Sequence, residues 1–425
     1  MRVLWLCNIM LPAIAEHLGK EVNNKEGWLS GTYERLKKAD FSMVSGERLE
    51  LGICFPVSKE EDGLEVSVDG LKAYGFYEDT AHPENYDIKL EDRLQQITKK
   101  FKPDLVHCFG TEFPHTLAMT KAFPYPDRIL VGIQGLCHKC ADAYMANLPE
   151  TVQKSRTFRD LLKQDSISEQ YEKFVKRGRH ETEALKNVQH VTGRTKWDKE
   201  SVEAVSKARY HFMNETLRSS FYEGEWDFDK CLPHSIFMSQ GDYPLKGLHF
   251  VLEAMPLILE EFPDTKLYIA GNNLTKTDSL KEKIKISGYG KYLKKLIEDN
   301  HLQDKVCFLG RLSAKEMKDR FMQSNLYICA STLENSPNSL GEAMLLGVPS
   351  IAPRTGGVPS VFEEKQDGLL FAPGNVEDLA EKVVYLFSNP DKMQAYAANA
   401  KKHAEMTHDA DVNYKRLLEI YREIV

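Results

Sequence analysis

Short apolar runs of strand length alternate with segments of helical period, and the pattern occurs twice along the chain. In the first half, RVLWLCNI (2–9), ELGICFPV (50–57), GLEVSVDGLKAYGF (63–76), PDLVHCFG (103–110) and DRILVGIQG (127–135) read as strands. GWLSGTYERLKKA (27–39) reads as a Gly-containing loop running into a helix, and 85–101 and 115–123 read as helices. In the second half, strands at 235–240, 265–272, 305–312, 325–332, 348–353 and 367–374 alternate with helices at 245–263, 291–302, 313–323 and 376–388. Consecutive strands separated by a helix must pair in parallel, because the crossover returns the chain to the same edge. Two α/β domains follow. A break is expected at FYEGEWDFDKCLPH (221–234), which is aromatic and acidic and ends at Pro233. The expected domains are 1–228 and 229–408, with 150–187 as a long, charged, helical stretch. Open parallel sheets bind ligands outside the carboxyl ends of their strands. The loops that follow strands are therefore where to look for a site.

Composition removes several other classes. The 425 residues exceed one ordinary domain of about 100–200 residues. A net charge of −7 argues against nucleic acid as a partner. No apolar run reaches the ~18–20 residues that span a bilayer. The N-terminal MRVLWLCNIMLPAIAEHLG is broken by Asn8 and Pro12 and reads as a buried strand rather than a leader. Most of the eight cysteines lie inside apolar runs, as reduced cysteines do in a cytoplasmic protein. CHKC (137–140) lacks the second ligand pair that a zinc site needs, and no metal is expected.

The stretch STLENSPNSLGEAMLLGVPSIAPRTGG (331–357) is the most informative. It leaves a strand, turns, and enters a helix. Ser336 is the expected N-cap, with Pro337 at the first helical position. The helix should run from Asn338 to Leu346 and stop at Gly347. Its start offers unpaired backbone N–H groups and a positive dipole end, which suit a phosphate. Glu334 precedes that start and Glu342 lies about one turn beyond it. Carboxylates accept hydrogen bonds from sugar hydroxyls, so the spacing fits a sugar–diphosphate–ribose ligand. The plain alternative is a solvated Glu334 and a Glu342 that complements the helix dipole. The residues alone leave both open.

Glu334-x7-Glu342, followed by AMLLGVPSIA, TGGVPS and DGLLF, resembles the retaining glycosyltransferases of family 4, in a bacterial subgroup suggested by VTGRTKWD and NETLRSSFY. The resemblance covers most of 231–425 and the first domain loosely. It implies the GT-B fold, two Rossmann-like domains with parallel sheets facing across a cleft, and a final helix (409–425) returning to the first domain. It implies transfer of a sugar from a nucleotide diphosphate donor, with a UDP-sugar the first guess, to a glycan or lipid-linked acceptor in surface polysaccharide or glycoconjugate synthesis. No cofactor or metal is implied beyond the donor itself. Glu334 would contact the transferred sugar, Glu342 the ribose, and the amides of Asn338 and Ser339 the diphosphate. Lys246, in YPLKGLHF, would neutralise the leaving diphosphate.

This chain departs from the family pattern at several places. Gln240 and Gly241 stand where an arginine usually precedes the lysine, and Arg311 is a candidate substitute. Glu334-Asn335-Ser336-Pro337 replaces Glu-Gly-Phe-Gly, so one backbone donor is lost and the side chain of Ser336 or Asn338 would have to replace it. Gln134-Gly135 replaces His-Gly, and a glutamine can donate to a hydroxyl but not act as a titrating base. In the first domain, Gly31 would let backbone approach the donor, Trp28 would stack on an acceptor sugar, and Glu112 would reach the acceptor. The basic run from Lys173 to His180 could face a phospholipid surface at the inner membrane face or a diphosphate-linked acceptor, with a solvated helix face as the plain alternative. Two alternatives accompany the transferase reading: a nucleotide-sugar 2-epimerase, which would need acid/base carboxylates in the first domain, and a non-catalytic nucleotide-sugar-binding protein.

Overall fold

A computed structural model describes residues 1–21, 27–38, 49–145 and 147–425, with the side chain of Trp28 outside that set. The described chain forms two compact units. The first comprises Met1–Ala141, Lys173–Arg218 and His408–Val425; the second comprises Asp142–Glu172 and Ser219–Thr407.

The first unit is built on an eight-stranded sheet: β1 (Arg2–Leu6), β2 (Glu50–Val57), β3 (Glu65–Val68), β4 (Leu71–Tyr77), β5 (Leu105–Phe109), β6 (Ile129–Gly132), β7 (His190–Gly193) and β8 (Arg209–Phe212). Their spatial order is β3-β4-β2-β1-β5-β6-β7-β8. All pairs are parallel except β3 with β4. The stretch 63–76, expected as one strand, is instead a hairpin. Asp69 and Gly70 both take positive φ (51° and 84°), the two-residue Asp-Gly turn that reverses a chain within a sheet.

The sheet is covered on both faces. Val3 and Trp5 of β1 pack into one core cluster, while Leu4 and Leu6 pack into another. Burial on both sides is why these strands read as continuous apolar runs rather than alternating ones. Helix Ala410–Ile424 contributes Leu417, Leu418, Ile420 and Tyr421 to the Trp5 side. Tyr421 Oη accepts from Trp5 Nε1 at 2.9 Å and lies 2.8 Å from His107 Nδ1. Burial pushes the His107 pKa down to about 3, so the folded ring stays neutral well below the ordinary histidine value near 6.5. Protons taken up by the unfolded chain then oppose folding as pH falls from about 6.5 toward 3. The stability advantage of the wild-type protein over His107→Gln should shrink between pH 7 and pH 4, measured by denaturant unfolding at each pH.

Helix Gly27–Lys38 begins earlier than the sequence suggested, so Gly31 lies inside it rather than before it. A Cβ at Gly31 would meet Leu217 O at 2.4 Å and Thr216 O at 2.8 Å. Close packing on that backbone accounts for the glycine. Residues 150–187 form three helices, Glu150–Gln153, Phe158–Lys163 and Ile167–Lys186, rather than one. In the last of these Lys173 pairs with Glu84, Arg177 donates to Glu112 O and lies over the Phe174 ring, and His180 packs near Tyr86. Only Lys176 and Arg179 of that basic run are exposed.

The second unit is a six-stranded, wholly parallel sheet: β9 (Leu232–Met238), β10 (Lys266–Ala270), β11 (Val306–Gly310), β12 (Ser324–Ile328), β13 (Ser350–Pro353) and β14 (Leu369–Phe371). Its order is β11-β10-β9-β12-β13-β14. Counted from β9 this is 3-2-1-4-5-6, the Rossmann order, and its switch point lies between β9 and β12.

Candidate donor site in the second unit

Three loops leave the carboxyl ends of β9, β12 and β13 and lock together beside that switch point. The loop after β9 ends in the short turn Pro244–Lys246 and then Gly247, which takes φ 68°. A Cβ at Gly247 would lie 1.9 Å from Ala330 O, so only glycine lets this loop touch the one after β12. Thr332 N–H donates to Leu245 O at 2.8 Å. The loop after β13 closes from the other side: Gly357 N–H donates to Glu334 O at 3.0 Å, and Thr355 Oγ1 donates to Thr332 O at 3.0 Å. Gly356 takes φ 53°, and a Cβ there would meet Glu334 O at 2.1 Å.

This frame brings Lys246 Nζ to 2.5 Å from Glu334 Oε1, and Ser331 Oγ donates to the same oxygen at 2.7 Å. The two side chains are 22% and 16% exposed, so solvent screens the pair only partly. Burial acts to lower the Lys246 pKa, but the Glu334 carboxylate more than offsets it and holds the ammonium well above the ordinary lysine value. The concavity around the pair has a volume of about 270 Å³, is open to solvent, and is also lined by Ser239, Gln240 and Ser339. Ser339 Oγ accepts from Tyr327 Oη at 2.8 Å, and Ser239 Oγ lies 3.1 Å from the same hydroxyl.

Helix Asn338–Leu346 starts at this concavity and stops at Gly347, φ 73°. Pro337, not Ser336, occupies the N-cap position, and no side chain caps the helix. Pro337 sits at φ −70°, within the range its ring allows, with extended ψ 115°. Ser336 therefore stands one residue outside the helix. The helix start is left as a set of backbone donors, at the positive end of the dipole, close to a lysine.

The remaining candidates fall in different places. Glu342 is buried in the same helix, 4% exposed, and does not line the concavity. Arg311 follows β11, two strands from β9, is exposed, and does not line it either. Gln134 and Glu112 belong to the first unit. Gln134 Nε2 donates to Glu215 Oε1 at 2.5 Å, Arg194 Nη2 donates to Gln134 Oε1 at 3.3 Å, and Arg194 is ion-paired with Glu215. Arg194 and Glu215 follow β7 and β8 and were not singled out from the sequence. The sheet, by setting β6, β7 and β8 side by side, brings them within reach of Gln134. Glu112 Oε1 accepts from Gly135 N–H at 2.8 Å, tying the loops after β5 and β6 together, and burial raises its pKa. Trp28 falls on the residues whose side chains lie outside the described set.

Residues 232–403 match the family model of group 1 glycosyl transferases. This covers the second unit's sheet and the whole Lys246–Glu334 site. Spore coat protein SA of Bacillus subtilis is 26% identical over 181 residues, 42% of this chain and 46% of that protein. The aligned region thus spans less than half the length of that curated relative. Sucrose-phosphate synthase from Thermosynechococcus elongatus superimposes with a TM-score of 0.67 at 14% identity, covering 100% of this chain and 99% of that one. Anabaena HepE, crystallised in complex with UDP and glucose, superimposes with a TM-score of 0.65 at 14% identity, covering 100% of both chains. The fold is GT-B. Within the group 1 region the Lys-Gly of 246–247 and the Gly-Gly of 356–357 have clear structural work: they let the three loops interlock.

Proposed function

We propose that this chain is a retaining glycosyltransferase that moves a sugar from a nucleotide diphosphate sugar to a glycan or lipid-linked acceptor. The observation that carries the reading is the Lys246–Glu334 pair, held at the switch point of a Rossmann-ordered sheet against an uncapped helix start. An ammonium and a row of backbone N–H groups are suited to a diphosphate, and a carboxylate beside them to sugar hydroxyls. Lys246 and Glu334 neutralise each other in their ion pair. A donor would divide them, its diphosphate drawing Lys246 and the amides of Asn338 and Ser339, its sugar taking Glu334. Glu342, buried behind the concavity rather than lining it, takes the ribose on the strength of the family resemblance alone. As the bond to the departing diphosphate breaks, Lys246 and the helix start meet the charge that develops there. HepE, of the same fold, was crystallised with UDP, which supports a UDP-sugar as donor.

A second reading, binding of a nucleotide sugar without turnover, is favoured by one observation. The side chain of Gln134, at the position where the family has a histidine, is engaged by Glu215 and Arg194.

Thermal unfolding with UDP, GDP and ADP tests the donor site. A nucleotide present at about 100 times its Kd should add about 2.7 kcal/mol to native stability and raise the midpoint. We expect UDP to do so, and Glu342→Gln to remove the shift while still folding. No shift with any of the three would defeat both readings. A shift with UDP but no product from any UDP-sugar and acceptor would favour the non-catalytic one.

A further inference from the structure

Five large apolar side chains stand exposed on two short helices of the second unit that touch each other. On helix Phe158–Lys163, Phe158, Leu161 and Leu162 are 61%, 58% and 70% exposed. On helix Leu280–Lys285, Leu280 and Ile284 are 79% and 55% exposed. Their spacings, i, i+3, i+4 on the first helix and i, i+4 on the second, put each set on one face.

The opposite face of the first helix is anchored, and the second helix is closed by its own capping box. Asp160 is fully buried, and its Oδ2 accepts from Gly288 N–H at 2.8 Å and from Thr157 N–H at 3.0 Å. One hundred degrees per residue places Asp160 across the helix from Phe158 and Leu162. The bond to Gly288 therefore turns the apolar stripe away from the protein. On the second helix Glu282 accepts from Ser279 N–H at 2.9 Å, turning back toward the helix start.

Lysines flank the second stripe, and Lys163 closes the end of the first helix. Lys281 and Lys283 lie to either side of the Leu280–Ile284 line on the helical wheel. Lys163, Lys281, Lys283 and Lys285 are exposed and make no ion pair among the described residues. The chain as a whole carries a net charge of −7, so this positive rim is local.

We propose that this face docks on an anionic lipid surface. The apolar stripes would enter the headgroup boundary while the lysine stems lie along them with their ammonium groups among the lipid phosphates. A protein partner is the poorer fit: protein interfaces are depleted in lysine and enriched in Tyr, Trp and Arg. Among the described residues no helix is long and apolar enough to cross a membrane. The proposal does not depend on the transferase reading.

Cosedimentation of the full chain with vesicles tests it, comparing phosphatidylcholine alone with phosphatidylcholine carrying about one-third phosphatidylglycerol. Binding is expected on the anionic vesicles only and should weaken as salt rises. The double variants Leu161→Ser/Leu162→Ser and Lys281→Glu/Lys283→Glu should each lower the affinity by about tenfold or more. All four side chains are exposed, so both proteins should fold, with circular dichroism matching wild type. Met406→Ser, which removes another exposed apolar side chain (71% exposed) outside these helices, should bind as wild type does. No binding, equal binding to the two vesicles, or an apolar variant as tight as wild type would overturn the proposal. Self-association that disappears in Leu161→Ser/Leu162→Ser, without vesicle binding, would overturn it in favour of an interface between protein chains.

Discussion

Replacing Lys246 by alanine should lower the rate of sugar transfer by about 10²–10³-fold, the range seen when one preorganised charge-stabilising donor is removed. Two effects act together. The ammonium that would meet the leaving diphosphate is gone. Glu334 also loses its 2.5 Å partner and, among the described residues, keeps only the hydroxyl of Ser331, so an unneutralised carboxylate faces an anionic donor. Lys246→Arg keeps the charge but changes its shape and should fall between wild type and alanine. Glu334→Gln removes the repulsion without restoring the cation, so the double variant Lys246→Ala/Glu334→Gln should bind nucleotide more tightly than Lys246→Ala alone. The measurement is turnover with the sugar of whichever nucleotide raises the unfolding midpoint, together with nucleotide affinity for each variant. A Lys246→Ala protein as fast as wild type would remove the lysine from the mechanism. Because the Glu334 carboxylate holds the Lys246 pKa above its ordinary value, this lysine should contribute no pH dependence to donor binding between about pH 6 and pH 9.

Gly247→Ala should be among the most destabilising single substitutions in the chain, costing about 4 kcal/mol or more. A residue with a side chain loses about 1–2 kcal/mol at positive φ. The larger part is steric: the new Cβ would sit 1.9 Å from Ala330 O and 2.7 Å from its carbonyl carbon, neither of which can swing aside as a side-chain tip would. The loops after β9 and β12 would have to separate, carrying Lys246 away from Glu334. Gly347→Ala is the matched control. Its φ of 73° is similar, but its nearest neighbour is the flexible end of Lys401 at 3.6 Å. It should lose only the conformational part, about 1 kcal/mol. Denaturant unfolding of both variants isolates the clash as their difference. Equal losses would show that the loop contact yields easily and that the site frame is softer than its geometry suggests.

Much of this protein was legible because its signals are local. Gly347 ends the helix that Asn338 begins, and the end was readable from a glycine followed by a proline two positions on. Short apolar runs separated by helical period required two parallel sheets; the second is wholly parallel and the first is parallel except for the β3–β4 hairpin. The same local reading failed where a nearby signal was passed over or where distant residues decide. Asp69-Gly70 is a hairpin turn written in two residues, overlooked inside a longer apolar run. Ser336 looked like a cap, but the restricted ring of Pro337 takes the N-cap place and leaves the serine outside.

Gly31 looked like a ligand-facing glycine because its partner, the backbone at 216–217, is nearly two hundred positions away in the chain. Gln134, Arg194 and Glu215 were read separately or not at all, yet 60 and 81 positions of intervening chain are closed by the sheet that sets their strands side by side. The amino-acid sequence by itself determined the elements and the two-sheet architecture, because period, caps and glycines act within a few residues of where they are written, and a family resemblance singled out Lys246 and Glu334. Only the tertiary structure decided which of those residues meet, which charges are neutralised, and which apolar side chains remain exposed. Those outcomes depend on burial and on contacts between loops, which no stretch of chain contains alone.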